Sequence, residues 1–252
     1  MTRSLDPAFI TKPLAHRGLH DVSRHVFENT RSAFAAALDH GYGIELDVQL
    51  SSDGRAMVFH DETLDRLTRA RGPVNRRTAA ELGAITIGTG NDVIEPLDNI
   101  LTQIAGQVPL LIEIKDQSLT LSQTDGVLER AVCDALSGYA GPVAIMSFNP
   151  HAMMHVQTYA PDCARGLTTC AFDPDEWPDA SVDRCAALAS IPDFDAVGAC
   201  FISHDVTALT DAAVARIKSQ GAPILCWTVR SAAQEHDARA ICDNITFESY
   251  HA

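Results

Sequence analysis

No run of this 252-residue chain approaches the roughly 18 consecutive apolar residues of a membrane-spanning helix. The opening segment, Met1-Thr2-Arg3-Ser4-Leu5-Asp6-Pro7, has no apolar stretch of the kind a secretory signal needs. There is no low-complexity tract and no internal repeat. No Gly-x-Gly-x-x-Gly, Walker-type loop or Gly-x-Ser-x-Gly occurs, so nucleotide binding and serine hydrolysis lack support. The seven cysteines are odd in number and have no Cys-x-x-Cys spacing, which reads as reduced thiols rather than a disulfide framework or zinc site. Basic residues are few: 19 against 33 acidic, a net charge of −14. Such a field repels nucleic acid and anionic lipid, and a phosphate-bearing ligand would need a local cationic site to offset it. Together these features describe a cytoplasmic protein with no nucleic-acid partner and no membrane span.

What is present is an alternation of short apolar runs and longer amphipathic segments. Eight runs read as strands: Pro13 to His16, Gly43 to Val48, Leu110 to Lys115, Val143 to Ser147, Ala164 to Thr168, Ala199 to Ser203, Ile224 to Val229 and Asn244 to Phe247. Helical patterns lie between them, over Thr30 to His40, Leu97 to Ala105, Leu121 to Ser137, Asn149 to Tyr159, Ser181 to Ser190, Thr210 to Gln220 and Ala232 to Ile241. Alternation without a linker argues for one domain over 1–252 in the α/β class. Eight units suggest a (β/α)₈ TIM barrel, with an open doubly wound sheet as the alternative. A ninth run, Ala56 to Phe59, is too close to its predecessor for a parallel crossover. With Asp53-Gly54 as its turn, it reads as an antiparallel β-hairpin excursion pairing Val48–Leu50 with Met57–Phe59. The irregular stretch 63–96 would form a small cap over the same mouth.

Barrels of this kind place their chemistry at the carboxyl ends of the strands. The first strand ends in His16-Arg17-Gly18. The second carries Glu45-Leu46-Asp47, whose spacing puts both carboxylates on one face. The third ends in Glu113-Ile114-Lys115, and the hairpin returns His60-Asp61 to the same end. Taken alone, Glu45 and Asp47 read as an ordinary salt-bridged pair. With Glu113 they form a set of like charges that calls for a hard divalent cation, Mg²⁺ or Ca²⁺. His16 and His60 can serve as general acid and base near neutral pH. Arg17 and Lys115 add positive charge for an anionic substrate. Metal, cationic groups and an acid–base pair together describe phosphodiester cleavage.

These motifs, with Glu28-Asn29-Thr30, Asp53-Gly54, Leu64, Arg66-Leu67-Thr68, Pro96-Leu97, Ser147-Phe148 and Trp227-Thr228-Val229 in order, resemble the glycerophosphodiester phosphodiesterase family over nearly the whole chain. The resemblance implies a TIM barrel and metal-dependent hydrolysis of glycerophosphodiesters to sn-glycerol 3-phosphate and an alcohol. It makes His16 and His60 the acid–base pair, Glu45, Asp47 and Glu113 the metal ligands, Arg17 and Lys115 anion contacts, and Trp227 a substrate wall. A substrate hydroxyl could attack first, giving a cyclic phosphate that water then opens. Phe27 stands where the family usually has proline, His20 and His25 are additional, and Asn244 to Glu248 replaces a more usual Ile-Thr-Asp ending, so Glu248 could reach the mouth. Alternatives are a lysophospholipase D-like or cyclising activity on lysolipids, which would want an apolar rim, and a non-catalytic phosphate-ester binder, which would have lost one of these groups.

Some features read as structural. Glu28 and Asn29 precede a helix and suit capping and loop ordering as well as they suit contact with substrate, Asp61 could orient a neighbour or close a turn, and Trp227 could be a core aromatic. His151 and His155 have a ligand spacing, but no Glu accompanies them in a His-Glu-x-x-His pattern, so they read as solvated. Asp173-Pro174-Asp175-Glu176 reads as a solvated loop that could rim the mouth.

Overall fold

The computed structural model describes residues 4–252. Met1 to Arg3, part of the segment read as lacking signal character, lie outside the described residues. The strands, in chain order, are β1 (Leu14–Ala15), β2 (Gly43–Leu50), β3 (Ala56–Val58), β4 (Leu110–Ile114), β5 (Val143–Ser147), β6 (Ala164–Thr169), β7 (Phe201–Asp205), β8 (Ile224–Val229) and β9 (Asn244–Phe247). The helices are α1 (Ala8–Thr11), α2 (Arg31–His40), α3 (Ala79–Leu82), α4 (Leu97–Ile104), α5 (Val127–Ala135), α6 (Pro150–Tyr159), α7 (Val182–Ala189), α8 (Ala212–Ser219) and α9 (Ala232–Ala238).

Eight parallel strands close into a ring, because β1 pairs with both β2 and β9; β3 stays outside, antiparallel to β2. The expected barrel is therefore present, and the open doubly wound alternative is excluded. The hairpin pairs Val48 with Val58 and Leu50 with Ala56, so its return strand lies one residue earlier than Met57–Phe59. Gly54 makes the turn at φ +79°, a conformation that glycine adopts without steric cost.

Period-two alternation sorts each strand. Along β2, Ile44, Leu46 and Val48 join the layer between strands and helices, while Glu45 and Asp47 are buried outside that apolar cluster. The floor of the barrel is apolar: Phe9, Leu14, Leu111, Ala144 and Phe201 pack together. Asn244 holds α1 to this floor by donating to Phe9 and Lys12 carbonyls at 2.7 and 2.6 Å. The carboxylates thus start one layer above an apolar floor.

Segment 63–96 has a hydrophobic cluster of its own, with Leu64, Val74, Leu82, Ile87 and Ile94 packed on Met57 and Phe59 of the hairpin. Phe27 joins this cluster, so the residue that departs from the family's proline has a packing role.

Helix starts follow their caps. Thr30 accepts from Ala33 N ahead of α2, and Asn149 accepts from His151 N ahead of Pro150. The helix expected from Leu121 begins only at Val127. Leu121 is held at φ +55°, its N–H donating to Asp116 at 2.9 Å and its carbonyl accepting from Arg184, with Gly126 at φ +76° opening the helix. That tether outcompetes the amphipathic pattern. Strand β7 is shifted two residues toward the carboxyl end from the expected Ala199 to Ser203. Among the described residues no helix is long and apolar enough to cross a membrane, and the seven cysteines are free thiols.

Candidate active site

The carboxyl ends of β1, β2, β4, β8 and β9 surround a cavity of about 320 Å³, lined by His16, Arg17, Glu45, Asp47, Glu113 and Trp227 among others. Register brings the acidic groups together, since Asp47 lies opposite Glu113 in the β2–β4 pairing and Glu45 is two residues back on the same face. Glu45, Asp47 and Glu113 are buried, and one oxygen from each lies within 4.8 Å of the others. Asn29, at φ +56°, donates to Asp47 Oδ2 at 2.8 Å and accepts from the Asp47 amide, so the loop before α2 orders the ligand face.

Two cations stand among the three carboxylates. Lys115 Nζ lies 2.7 Å from Glu113 and 3.6 Å from Asp47. Arg17 donates its backbone N–H to Glu45 at 2.9 Å and its Nη1 to Glu28 at 2.6 Å. Its Nε is 3.4 Å from Asp47 without a hydrogen bond, which leaves a buried donor available to a ligand oxygen. Gly18 permits this arrangement. At φ +80°, an added Cβ would come within 2.8 Å of Ala33 Cβ.

The electrostatics are unbalanced. Burial, then the Asp47 and Glu113 carboxylates, push the Glu45 carboxyl well above the usual range. Burial alone would raise Asp47 as well, but His60, Lys115 and Arg17 outweigh it and hold that carboxyl well below the ordinary range. Burial would lower the Lys115 ammonium, yet Glu113 and Asp47 keep it raised. Were all three carboxylates ionised, they would outnumber the two cations by one in a buried site, and an all-oxygen donor set of this spacing fits a hard divalent cation in place of the proton on Glu45.

Each imidazole is backed by a carboxylate. His16 Nδ1 is 2.6 Å from Glu248 Oε2, and Glu248 in turn accepts from Arg230 Nε at 2.7 Å. Burial lowers the His16 pKa, opposed by the Glu248 hydrogen bond. His60 Nδ1 is 2.7 Å from Asp61 Oδ1, while its Nε2 lies 3.2 Å from Lys115 Nζ. Asp61 and Glu28 both pair with Arg66, so His60, Asp61, Arg66, Glu28 and Arg17 form one connected chain.

The structure therefore brings all eight sequence-nominated residues to one cavity, Trp227 included. Its Nε1 donates to Ser203 O at 3.0 Å, and its ring meets Phe148 edge-on at 5.5 Å, so it is both packed and exposed to the cavity. Asp61 orients a histidine. Glu28 holds Arg17 and Arg66, and Asn29 holds Asp47, so neither is primarily a cap. Glu248, given no role from sequence, is the partner of His16; its position directly after the last strand was the available signal. His155 is taken up by the Thr124 carbonyl at 3.1 Å and stacks with Tyr159. His25 pairs with Thr89, and His20 lies 3.7 Å from Glu248. The acidic loop after β6 does rim the mouth through Glu176.

A family model described as the glycerophosphoryl diester phosphodiesterase family matches residues 16–244. A glycerophosphodiester phosphodiesterase of Caldanaerobacter subterraneus is 34% identical over 172 residues, 62% of this chain and 66% of that protein. The match thus spans about two thirds of that relative's length. A Bacillus subtilis glycerophosphodiester phosphodiesterase is 27% identical over 241 residues, covering 88% of this chain and 78% of its own. Among solved structures, an Oleispira antarctica phosphodiesterase in complex with the product sn-glycerol-3-phosphate aligns with a TM-score of 0.78 at 23% identity. That alignment covers 96% of this chain and 95% of the other, and it supports the barrel fold.

Proposed function

The chain belongs to the glycerophosphoryl diester phosphodiesterase family, and from that premise we propose that it hydrolyses glycerophosphodiesters to sn-glycerol 3-phosphate and an alcohol with the help of a divalent cation. The observation carrying this reading is the meeting of a buried three-carboxylate cluster with two carboxylate-backed imidazoles at one barrel mouth. Glu45, Asp47 and Glu113 would hold the cation, Mg²⁺ or Ca²⁺ by the hardness of their oxygens. When bound, it would polarise phosphoryl oxygen and offset charge at the attacking and leaving oxygens.

The chain's own groups supply the rest. Arg17 and Lys115 would bind the non-bridging phosphate oxygens, Arg17 through the buried Nε that makes no hydrogen bond among the described residues. Hydrolysis adds water across one P–O bond. The attacking oxygen loses a proton to one imidazole, and the departing alkoxide gains one from the other. With Nδ1 of each ring directed at a carboxylate, Nε2 is the working nitrogen on both. Burial favours the neutral form of His16, which suits that ring to take up a proton. Trp227 would wall the bound ester.

The test is direct. Purified protein with Mg²⁺ or Ca²⁺ should release glycerol 3-phosphate from glycerophosphocholine or glycerophosphoethanolamine, and excess EDTA should stop it. Activity undiminished by EDTA removes the cation from the reading. Cleavage confined to lysolipids replaces the substrate class.

A further inference from the structure

The cavity does not end at the catalytic groups. An outer lobe of about 460 Å³ shares His60, Glu113, Lys115, Phe148 and Trp177 with the inner one of about 320 Å³. A diester whose phosphoryl group lies among the shared residues extends one alcohol into each lobe. The inner lobe is walled by strand ends. Beyond the shared residues, the outer lobe is built from residues 61–63 after the hairpin, the loop after β4, and the acidic loop after β6.

The chemistry of the outer lobe is one-sided. Trp177 and Phe148 form an aromatic wall with ring centres 5.0 Å apart, continued by Leu121 and by Leu119, a large apolar side chain left 51% exposed. Against that wall stand the carboxylates of Glu62, Glu176 and Asp179, which have no side-chain partner among the described residues. Two further carboxylates are engaged, Asp61 with His60 and Arg66, and Asp116 with Ser118 and Asn149. Apart from Lys115 and His60 at the junction, no cationic side chain among the described residues lines the lobe. Partial burial, then Asp179 and Asp116, push the Glu62 carboxyl upward, and the weaker attraction of Lys115 does not offset them.

We propose that the outer lobe is the leaving-alcohol subsite and selects an alcohol carrying an ammonium group, as in choline or ethanolamine esters. This rests on the diester hydrolysis proposed above. An organic cation uses both features of the lobe. The Trp177 face attracts it through the ring quadrupole, and the unpaired carboxylates supply opposite charge. N-methyl or methylene groups gain by leaving water against Trp177 and Leu121. An alcohol bearing a carboxylate meets like charge and is rejected. A bare metal ion would leave the aromatic wall without a function.

Choline and its uncharged isostere 3,3-dimethyl-1-butanol separate charge from shape. Binding is followed by the fluorescence of the chain's two tryptophans, Trp177 and Trp227, both of which line the cavity. Choline is expected to bind about tenfold more tightly than the isostere, with an affinity that falls as salt is added. Glycerophosphocholine should exceed glycerophosphoglycerol and glycerophosphoserine in kcat/KM by about the same factor. The double variant Glu62→Gln/Asp179→Asn replaces two exposed carboxylates outside the packed core, so its folding is secure even where Trp177→Ala fails. It should bring both ratios close to one. Equal binding of choline and the isostere, or ratios unchanged in the double variant, overturns the proposal. Equal turnover of all three esters overturns the subsite and leaves the hydrolysis reading standing. Preferential choline binding with no diester cleaved overturns the hydrolysis reading and leaves the cation site.

Discussion

Adding Mg²⁺ or Ca²⁺ to protein stripped of divalent ions is expected to raise its thermal midpoint, and Glu113→Gln should abolish most of that rise. The cause is the charge imbalance among Glu45, Asp47 and Glu113 against Lys115 and Arg17. Because burial and two neighbouring carboxylates raise the Glu45 carboxyl, the folded metal-free protein keeps a proton there that the unfolded chain releases in the ordinary range. Between those two values the folded state binds more protons than the unfolded, so stability falls as pH rises through the window. One proton sets the limit at about 1.4 kcal/mol per pH unit. A cation bound only by the folded protein removes this dependence and adds about 2.7 kcal/mol at a hundredfold excess over Kd. At about 2–4 °C per kcal/mol for a chain of this size, that is a shift of about 5–11 °C. His16, His151 and His204, whose pKa values burial lowers, act in the opposite sense, since they cost stability as pH falls below about 6.5. The Glu45 contribution is therefore read as the difference between wild type and Glu45→Gln in EDTA. Differential scanning fluorimetry from pH 5 to 8, with and without each ion, supplies the measurement. A midpoint indifferent to both ions, or a shift of equal size in Glu113→Gln, refutes the reasoning.

Four other variants test the site. His16→Ala and His60→Ala should each lower kcat by about 10²-fold or more, as loss of an acid or base group does; near-normal release of glycerol 3-phosphate by either variant removes that ring from the mechanism. Glu248→Gln keeps a hydrogen-bond partner for His16 but withdraws the charge that opposes burial, so the acidic limb of the pH–rate profile should move to lower pH with little change in KM. A limb that stays in place would make Glu248 a packing residue. Arg66→Ala releases Glu28, whose burial would raise it but whose hydrogen bonds to Arg66 and Arg17 bring it down to about 2. That stabilisation is present above the ordinary carboxylate range and is lost as pH falls toward 2, so the variant should lose about 1 kcal/mol at pH 7, discounted for Arg66's exposure; an unchanged urea midpoint at pH 7 contradicts it.

Much of the site is legible because strand geometry is local. Glu45 and Asp47 share a face by spacing alone, and Asp53-Gly54 announces the hairpin that returns His60-Asp61. Other parts are not legible. The two imidazoles could be nominated, but nothing in the spacing says that Glu248 backs one and Asp61 the other. The delayed start of α5 depends on Leu121 being tied to Asp116 and Arg184, contacts that an amphipathic pattern does not encode.

The strand positions, the inward set of carboxylates and the apolar outer faces follow from residue periodicity, since alternation along a strand is a property of neighbours two positions apart. Which distant groups meet is decided by closure of the ring. His16 and Glu248 are 232 positions apart, and they touch only because the first strand pairs with the last. The chain of Arg17, Glu28, Arg66, Asp61 and His60 likewise exists only after segment 63–96 has packed on the hairpin. So does the outer lobe, assembled from three loops that no sequence spacing relates. Short-range geometry chooses which side chains point inward, whereas long-range packing chooses their partners, and the partners determine charge, orientation and access at the mouth.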